Sequence, residues 1–306
     1  MELSIILPIH NEESNINPLY DRLSLVLKKL KVNYDLVFIN DGSTDDSLNK
    51  LLALRNKDKR VKIINFSRNF GHMSAVTAGL RNAQGDKVVI MDCDLQDPPE
   101  VIPQLYKKSK DHDVVYAIKE KRKEGLVKRA MFSLFYIIQT HIADLPIPAN
   151  AGTFSILDKK VVKIIDTLPE KNKFFSGLRV WVGFKQGSIT YERAARLSGE
   201  KNSLKKLVKL AFDGLFSFSY VPLRIASILG ILFALIAFVL VIIVGVLRIF
   251  FDWGIVGWAS TLTTILFIGG VQLITLGIIG EYLARIYDEV KNRPEYIIQD
   301  KHGFDK

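Results

Sequence analysis

The chain has 306 residues, 48% of them hydrophobic, and a formal net charge of +10. Its mean hydropathy of +0.17 is high for a soluble protein, and its length allows one large or two modest folded units. The basic balance favours phosphorylated substrates, anionic lipid or nucleic acid as partners. The single cysteine, Cys93, excludes internal disulfides, and the start of the chain lacks the basic region of a signal peptide.

Apolar segments alternate with helical patterns through the first hundred residues. Helices are predicted from Ile16 to Leu30, through Leu54, and up to about Ala83, with Pro8 ending the first strand. The intervening buried strands are predicted at Leu3–Leu7, Leu36–Ile39, Val61–Phe66 and Val88–Met91. This alternation predicts an α/β fold, a parallel sheet with helices on both faces.

Polar residues follow each of these strands, in a loop after Pro8, in a turn that begins near Asp41, and in a loop after Phe66. Ligands of open α/β sheets bind at the carboxyl edge of the strands, so a nucleotide would lie there. No Gly-x-Gly-x-x-Gly follows the first strand, and no Gly-x-x-x-x-Gly-Lys-Ser/Thr occurs, which argues against a dehydrogenase and a P-loop NTPase. The phosphates of a nucleotide would therefore be held by a metal and by basic side chains.

Two carboxylates, Asp92 and Asp94, follow the fourth strand directly. Their odd-even spacing lets both project from the strand end toward one face. Paired hard oxygen ligands suit Mg²⁺ or Mn²⁺, which commonly bridge a protein to a diphosphate. The alternative is an acidic turn that caps the following helix. Cys93, between the two, is interpreted as a small filler of the strand end.

The middle of the chain combines further strands with a basic stretch. A strand is predicted at Val114–Ile118, and a turn and strand at Asn150–Asp158 lead into a helix that ends at Thr167. Between them, Lys119 to Arg129 is densely basic, and for its first lysines a solvated loop is the favoured interpretation. A nearly uncharged helix follows at 131–142, too short to span a bilayer.

The C-terminal third changes character. Leu204 to Phe218 predicts a basic amphipathic helix suited to an anionic membrane surface, the alternative being a helix packed on the soluble domain. No charge occurs from Ile225 to Leu247 or from Gly254 to Gly280, and both runs exceed the roughly 20 residues that span a bilayer. Basic residues before the first run and after the second place both termini in the cytoplasm by the positive-inside rule.

Four segments, taken in order, resemble those of family 2 glycosyltransferases. They are Leu7-Pro8-Ile9-His10-Asn11-Glu12, Asn40-Asp41-Gly42-Ser43-Thr44-Asp45, Ser67-Arg68-Asn69-Phe70-Gly71 and Asp92-Cys93-Asp94-Leu95-Gln96-Asp97. Their order and spacing resemble the polyprenyl-phosphate branch, which includes dolichol-phosphate mannosyltransferase and bacterial bactoprenol (undecaprenyl-phosphate) glucosyltransferases. The resemblance covers nearly the whole chain, including the two C-terminal apolar runs.

The resemblance implies a GT-A fold, an α/β domain with a mostly parallel sheet flanked by helices. An amphipathic interfacial helix and two transmembrane helices would follow it. The domains would be a cytoplasmic glycosyltransferase domain at 1–200, the interfacial helix at 201–222, the two spans within 223–281 (about 225–247 and 256–280), and a cytoplasmic tail at 282–306. The protein would be an integral protein of the cytoplasmic membrane.

The resemblance also implies roles for particular residues. The metal and diphosphate would be held at Asp92, Asp94 and Gln96. The lipid phosphate would be received by Arg129 and Arg196. The catalytic residues would be Asp92, Asp94, Arg129 and Arg196. The nucleotide sugar and its phosphates would be held by Pro8, His10, Glu12, Asp41, Arg68 and Lys201.

Two positions depart from the family pattern. The family often has Gly-Asp-Phe-Arg where this chain has Gly152-Thr153-Phe154-Ser155, and Ser/Thr-Lys where it has Glu200-Lys201-Asn202. A lipid monophosphate is already ionised at neutral pH, because its second pKa is about 6. It therefore needs positioning and positive charge rather than a general base.

We therefore expect metal-dependent, inverting transfer of a sugar to polyprenyl phosphate, giving a β-linked product from an α-linked donor. UDP-glucose is the first choice of donor, and GDP-mannose, UDP-GlcNAc and an aminoarabinose donor remain alternatives. A processive polysaccharide synthase is disfavoured by two spans and by the lack of a Gln-x-x-Arg-Trp segment, and a non-catalytic membrane adaptor is the alternative of another class. The bilayer is an expected partner, a homo-oligomer is open, and nucleic acid is not expected.

Overall fold

The computed structural model describes residues 1–119, 151–171, 173, 175–192, 221–251 and 257–304. The chain forms two compact units, one of residues 1–214 with 293–306 and the other of residues 215–292. The predicted helix at 131–142, the amphipathic helix at 201–222 and the residues Arg129, Arg196 and Lys201 fall almost wholly or wholly outside the described residues.

The first unit contains an eight-stranded sheet with the order β7-β5-β6-β4-β1-β2-β3-β8. The central strands β1, β2, β3 and β4 pair in parallel, as does β5 with β7, whereas β6 and β8 pair antiparallel to their neighbours. The bounds are β1 Leu3–Ile9, β2 Tyr34–Asn40, β3 Val61–Phe66, β4 Lys87–Ile90, β5 Val114–Lys119, β6 Ala151–Asp158, β7 Gln186–Tyr191 and β8 Ile298–His302. The expected mostly parallel sheet is confirmed, with antiparallel strands added beside β4 and β3.

Helices cover both faces of this sheet. Helix α1 (Ile16–Leu30) packs on one face, and α3 (His72–Asn82) packs on the other. The other helices among the described residues of the unit are α2 (Ser47–Lys57), a 3₁₀ turn at Pro99–Val101, and the short helices Ile102–Lys108, Lys159–Thr167 and Phe175–Trp181. Every residue of β1, β2 and β3 is buried, because a parallel strand covered on both faces has no solvent side.

The first strand does not end at Pro8, as the sequence predicted, but continues to Ile9. Along this strand, pairing with β4 stops at Ile6, while pairing with β2 continues through Pro8 to Ile9. The carbonyl of Ile9 accepts from the Asp41 backbone N–H on the β2 side, so the nitrogen of Pro8 faces the side where β4 has ended. The missing N–H of proline removes no sheet hydrogen bond there.

The last strand, β8, was not predicted from the sequence, which showed only a tail at 282–306. It pairs antiparallel with β3 and is held by side chains as well as backbone. The amide of Asn65 donates to Asp300 at 2.8 Å, and the backbone N–H of Ser67 donates to the Ile297 carbonyl at 3.1 Å. The ring of Tyr296 stacks on Phe66 with centroids 4.9 Å apart. The segment after the second apolar helix is thus part of the first unit.

We expect Tyr296→Ala to lower the free energy of unfolding of this unit by about 2–3 kcal/mol, since it removes a stacked, partly buried aromatic ring. Tyr296→Phe is the matched control, because it keeps the ring on Phe66 and loses only the long contact of 3.5 Å between its hydroxyl and Arg81. Thermal unfolding of the detergent-solubilised protein measures both. Equal midpoints for Tyr296→Ala and the wild type would show that β8 contributes little to stability.

The second unit contains two long helices, Val221–Phe251 and Trp258–Val290. Within them, Ala226–Val244 has a mean hydropathy of 3.2 and Thr263–Val290 a mean hydropathy of 1.9, and neither window is buried by the protein. Phe233 and Phe267 pack edge to face at 5.3 Å between the two helices. Both helices are long and apolar enough to cross a membrane, at nearly the positions that the charge-free runs predicted.

Candidate active site

An open cleft lies where the strand order reverses. From β1, the chain adds β2 and then β3 toward one edge of the sheet, whereas β4 lies on the other side of β1. Open α/β sheets bind ligands at the point where the strand order changes direction in this way. The loops after β1, β2, β3 and β4 line a cleft of about 360 Å³, formed by Pro8, Ile9, His10, Glu12, Asp41, Asn69, Gly71, His72, Ala75, Asp92, Cys93 and Asp94.

The loops after β1 and β2 are tied together by reciprocal hydrogen bonds. The backbone N–H of Asn11 donates to Ser43 Oγ at 3.1 Å, and the Asn11 side chain accepts from the Thr44 N–H at 2.8 Å. In the same way, the N–H of Glu13 donates to Asp45, and the Glu13 carboxylate accepts from the N–H of Asp46. Side chains here continue the connection between the two strands beyond the last sheet pair, Ile9 with Asn40, so the two loops form one wall of the cleft.

Asp41 builds a second connection, to the loop after β3. Its two carboxylate oxygens accept from the backbone N–H groups of Phe70 at 2.6 Å and Gly71 at 2.9 Å. Its carbonyl is 2.8 Å from Nδ1 of His10. Gly42 follows with φ of +59°, and a Cβ there would lie 2.3 Å from the Arg68 carbonyl carbon, so only glycine lets the two loops touch. Asp41 therefore shapes the cleft through the loop that it holds.

Asp92 and Asp94 lie together at the end of β4. Asp94 Oδ1 accepts from the Gln96 backbone N–H at 3.1 Å, a short turn in which Leu95 takes φ of +59°. Asp92 Oδ1 lies 3.5 Å from Nε2 of His72. Both carboxylates keep part of their surface open to the cleft. Such a pair fits a divalent cation that takes its other ligands from water and substrate phosphate.

The cleft is acidic apart from its two histidines. Glu12, Asp41, Asp92 and Asp94 all line it. Burial raises the pKa of the Cys93 thiol well above its usual range, and the charge of Asp92 adds to that shift. The thiol therefore stays protonated and packs against the core, which supports its interpretation as a filler.

Comparison with known proteins decides the family. The family described as "Glycosyl transferase family 2" matches residues 4–165. The chain belongs to glycosyltransferase family 2. An "Uncharacterized glycosyltransferase YkcC" of Bacillus subtilis is 46% identical over 308 residues, covering 100% of this chain and 95% of that protein. An "SfII prophage-derived bactoprenol glucosyl transferase" of Shigella flexneri is 40% identical over 305 residues, covering 99% of each.

Among solved structures, glucosyl-3-phosphoglycerate synthase from Mycobacterium tuberculosis, in complex with Mn²⁺, UDP-glucose and phosphoglyceric acid, is similar with a TM-score of 0.48 and 19% identity. That similarity covers 71% of this chain and 79% of that one. The family match, together with the relatives that align over nearly the full length of the chain, shows that this protein is an enzyme, a glycosyltransferase. The four sequence segments had indicated the same.

In this family 2 glycosyltransferase, six predicted site residues come together at the cleft. They are Pro8, His10, Glu12, Asp41, Asp92 and Asp94. Two others lie beside it. Arg68 is exposed and lies over the Phe70 ring at 4.1 Å, and Gln96 is buried and presents its backbone N–H to Asp94. Neither is among the residues that line the cleft.

Sequence reasoning missed the contribution of the start of α3. Asn69, Gly71, His72 and Ala75 line the cleft, although only Arg68 was selected from that stretch. A usable signal was Gly71, which separates the loop from the helix and has φ of +98°. A glycine between a strand end and a helix start indicates a tight approach of backbone to ligand.

Proposed function

We propose that this glycosyltransferase transfers a sugar, with glucose as first choice, from a nucleotide sugar to polyprenyl phosphate at the cytoplasmic face of a membrane. The observation that carries the proposal is the joining, in one chain, of a strand-end cleft with paired carboxylates and two apolar helices of membrane-spanning length. The relatives named for bactoprenol glucosyl transfer match this chain over nearly its full length, both parts included.

The acid character of the cleft supports a divalent cation, Mg²⁺ or Mn²⁺. A nucleoside diphosphate is itself an anion, and at this edge it would face the carboxylates of Glu12, Asp92 and Asp94. Asp92 and Asp94 would hold the cation, with the Gln96 backbone orienting Asp94. When bound, such a cation offsets charge on the leaving diphosphate as a Lewis acid. The side chain of Gln96 is a further ligand only if it turns toward the cleft.

The residues of the chain position both reactants. The wall formed by the loops after β1 and β2, with Pro8, His10 and Glu12, would hold the nucleoside, and Asp41 would keep the 67–71 loop and Arg68 in place beside it. Arg129, Arg196 and Lys201 would bring positive charge to the phosphates. At Thr153 the family pattern has a carboxylate, and here the Thr153 hydroxyl lies 3.5 Å from Asp92. An ionised acceptor phosphate needs no base there, and direct attack on C1 inverts the anomeric centre.

The same proposal predicts a topology in which the segment between the two apolar helices lies outside the cytoplasm. In sealed right-side-out vesicles, Asp252→Cys should react with a membrane-impermeant maleimide, because the charge bias places both flanks inside. Lys57→Cys, at the end of α2 in the first unit, is the matched control and should react only after permeabilisation. The native Cys93 is buried and stays silent. If Lys57→Cys reacted in intact vesicles and Asp252→Cys reacted only after permeabilisation, the proposed orientation would be wrong.

A direct assay tests the function. Purified enzyme is incubated with undecaprenyl phosphate, divalent cation and one radiolabelled nucleotide sugar at a time, and the lipid extract is counted. Transfer from UDP-glucose into lipid supports the proposal, and transfer only from another donor changes the sugar but keeps the class. Absence of lipid product from every donor, with an intact protein, contradicts it.

A further inference from the structure

A fully buried arginine lies outside the cleft, and no acidic side chain in the described part of the chain pairs with it. Arg179, on helix Phe175–Trp181, has no exposed surface. One nitrogen, Nη1, donates to the Gly152 carbonyl at 3.2 Å. Within the described part of the chain, Nε and Nη2 have no hydrogen-bond partner. Two aromatic rings lie beside it, with its guanidinium carbon 4.8 Å from the Tyr116 ring centroid and 5.9 Å from that of Phe175.

An unpaired buried guanidinium destabilises the folded state. A buried charge is normally paired or fully hydrogen-bonded, and a single unpaired one costs several kcal/mol. Burial lowers the pKa of Arg179 to about 10, which still leaves it protonated at neutral pH. The aromatic faces offset part of the cost through cation–π contact, but they do not satisfy the two remaining donor nitrogens. These nitrogens are suited to an anion, and the described residues place none beside them.

A second cation, Lys119, also lies near Gly152. The Nζ of Lys119, at the end of β5, lies 3.1 Å from the position that a Cβ would take on Gly152. Gly152 is therefore approached by Arg179 through its carbonyl and by Lys119 at the place of its missing side chain. No acidic side chain of the described residues is hydrogen-bonded or ion-paired to Arg179.

The position of this pair in the sheet indicates which anion it serves. Gly152 is the neighbour of Thr153, whose hydroxyl is 3.5 Å from Asp92 at the cleft. Strand β6, which carries both, pairs with β4 on the side away from β1, β2 and β3. The donor loops follow those three strands, so the pair lies across Asp92 from them. A nucleoside diphosphate bound between the donor loops and Asp92 would leave the β6 side of the carboxylates to the second substrate.

A fully buried serine, Ser155, lies two residues after Thr153 on the same strand. Ser155 is the cross-strand partner of Tyr116, the ring over which the Arg179 guanidinium lies. The helix Phe175–Trp181 therefore brings a positive charge beside β6.

We propose that Arg179, with Lys119, forms a subsite for the phosphate of the acceptor, on the side of Asp92 opposite the donor loops. This rests on the proposed function in that the phosphate is assigned to the acceptor lipid. The anion-binding property itself does not depend on it. Guanidinium offers the two remaining nitrogens as parallel donors to phosphate oxygens, and Lys119 adds a point charge.

Stability provides the first test, because a structural role and an anion-binding role predict opposite changes in melting temperature when Arg179 is replaced. Arg179→Met replaces an unpaired buried charge with an apolar side chain of similar length, so we expect the melting temperature to rise by about 2–4 °C. Arg22→Gln, which removes an exposed ion pair with Glu100, is the matched control and should leave it nearly unchanged. A fall in melting temperature for Arg179→Met would show a structural role and contradict the proposal.

Phosphate binding provides the second test, on the full-length protein in detergent and EDTA. Titration with inorganic phosphate should raise the melting temperature of the wild type and of Arg22→Gln. The rise should be lost in Arg179→Met, reduced in Lys119→Gln and partly kept in Arg179→Lys. Equal responses of wild type and Arg179→Met would overturn the subsite.

Kinetics then distinguish this proposal from the proposed function. With polyprenyl phosphate varied, Arg179→Met should raise the KM for lipid at least about tenfold, while the Kd for UDP stays within twofold. A loss of UDP affinity with an unchanged lipid KM would contradict the assignment to the acceptor. If the wild type transfers no sugar to any lipid yet binds phosphate through Arg179, the proposed function fails and the anion site stands.

Discussion

Asp94→Asn is expected to lower the rate of sugar transfer by at least about a thousandfold, a loss of about 4 kcal/mol of transition-state stabilisation. The carboxylate is one of two at the end of β4 that face the acidic cleft. The asparagine keeps an oxygen for the Gln96 backbone N–H, so the turn and the fold should persist. What is lost is the negative ligand that holds a divalent cation against the diphosphate. Initial rates of lipid glycosylation at saturating donor measure the effect.

Two controls make this result specific. Asp21→Asn, an exposed carboxylate on α1, should leave the rate within twofold, which excludes a general effect of lost charge. The unfolding transition and membrane insertion of Asp94→Asn should match those of the wild type. Near-normal turnover by Asp94→Asn, or full activity of the wild type in excess EDTA, would rule out the proposed metal role.

Asp41→Ala is expected to weaken binding of the nucleotide sugar by about 10- to 100-fold. The variant leaves the N–H groups of Phe70 and Gly71 without the carboxylate that accepts from both. Hydrogen bonds to a charged group contribute about 1.5–3 kcal/mol each, so the loop that contributes Asn69, Gly71 and His72 to the cleft loses its position. The effect should appear in the donor Kd, measured by calorimetry, more than in the lipid KM.

Asp41→Asn separates positioning from charge. The asparagine oxygen can accept from one of the two backbone groups, so we expect a donor affinity between those of the wild type and Asp41→Ala. Asp46→Asn is the matched control, since Asp46 lies in the same turn and its side chain accepts from the Asn49 amide at 2.8 Å rather than from the 67–71 loop. If Asp41→Ala binds donor normally, the loop is held by other contacts and the interpretation of Asp41 is wrong.

Local pattern was enough to predict much of the first unit. Helix α1 and strand β3 have the bounds that the sequence predicted, because each is long or apolar enough for its own periodicity to decide. Asp92 and Asp94 were predicted at the cleft because ligands of open α/β sheets bind where parallel strands end, whereas His10 and Asp41 were selected through the resemblance to the family. Charge-free runs of more than 20 residues likewise predicted the two apolar helices.

Other features depended on contacts between distant parts of the chain. Strand β8 has a short, half-exposed pattern, and it forms only because β3 offers an unpaired edge more than 230 residues earlier. The antiparallel β6 beside β4 depends on the same kind of non-local pairing. The continuation of β1 through Pro8 required knowing that β4 ends sooner than β2.

The sequence by itself determined the family, the strand–helix alternation, the carboxylate pair at Asp92 and Asp94 and the two apolar segments, because each is written in consecutive residues. Only the tertiary structure decided that Asp41 acts on the 67–71 loop, that the C-terminal segment completes the sheet, and that Arg179 is a buried cation beside Gly152. The physical reason is that burial, hydrogen-bond partners and the presence or absence of a counter-charge are properties of packing. They depend on what distant residues bring to a side chain, and no local pattern carries that information.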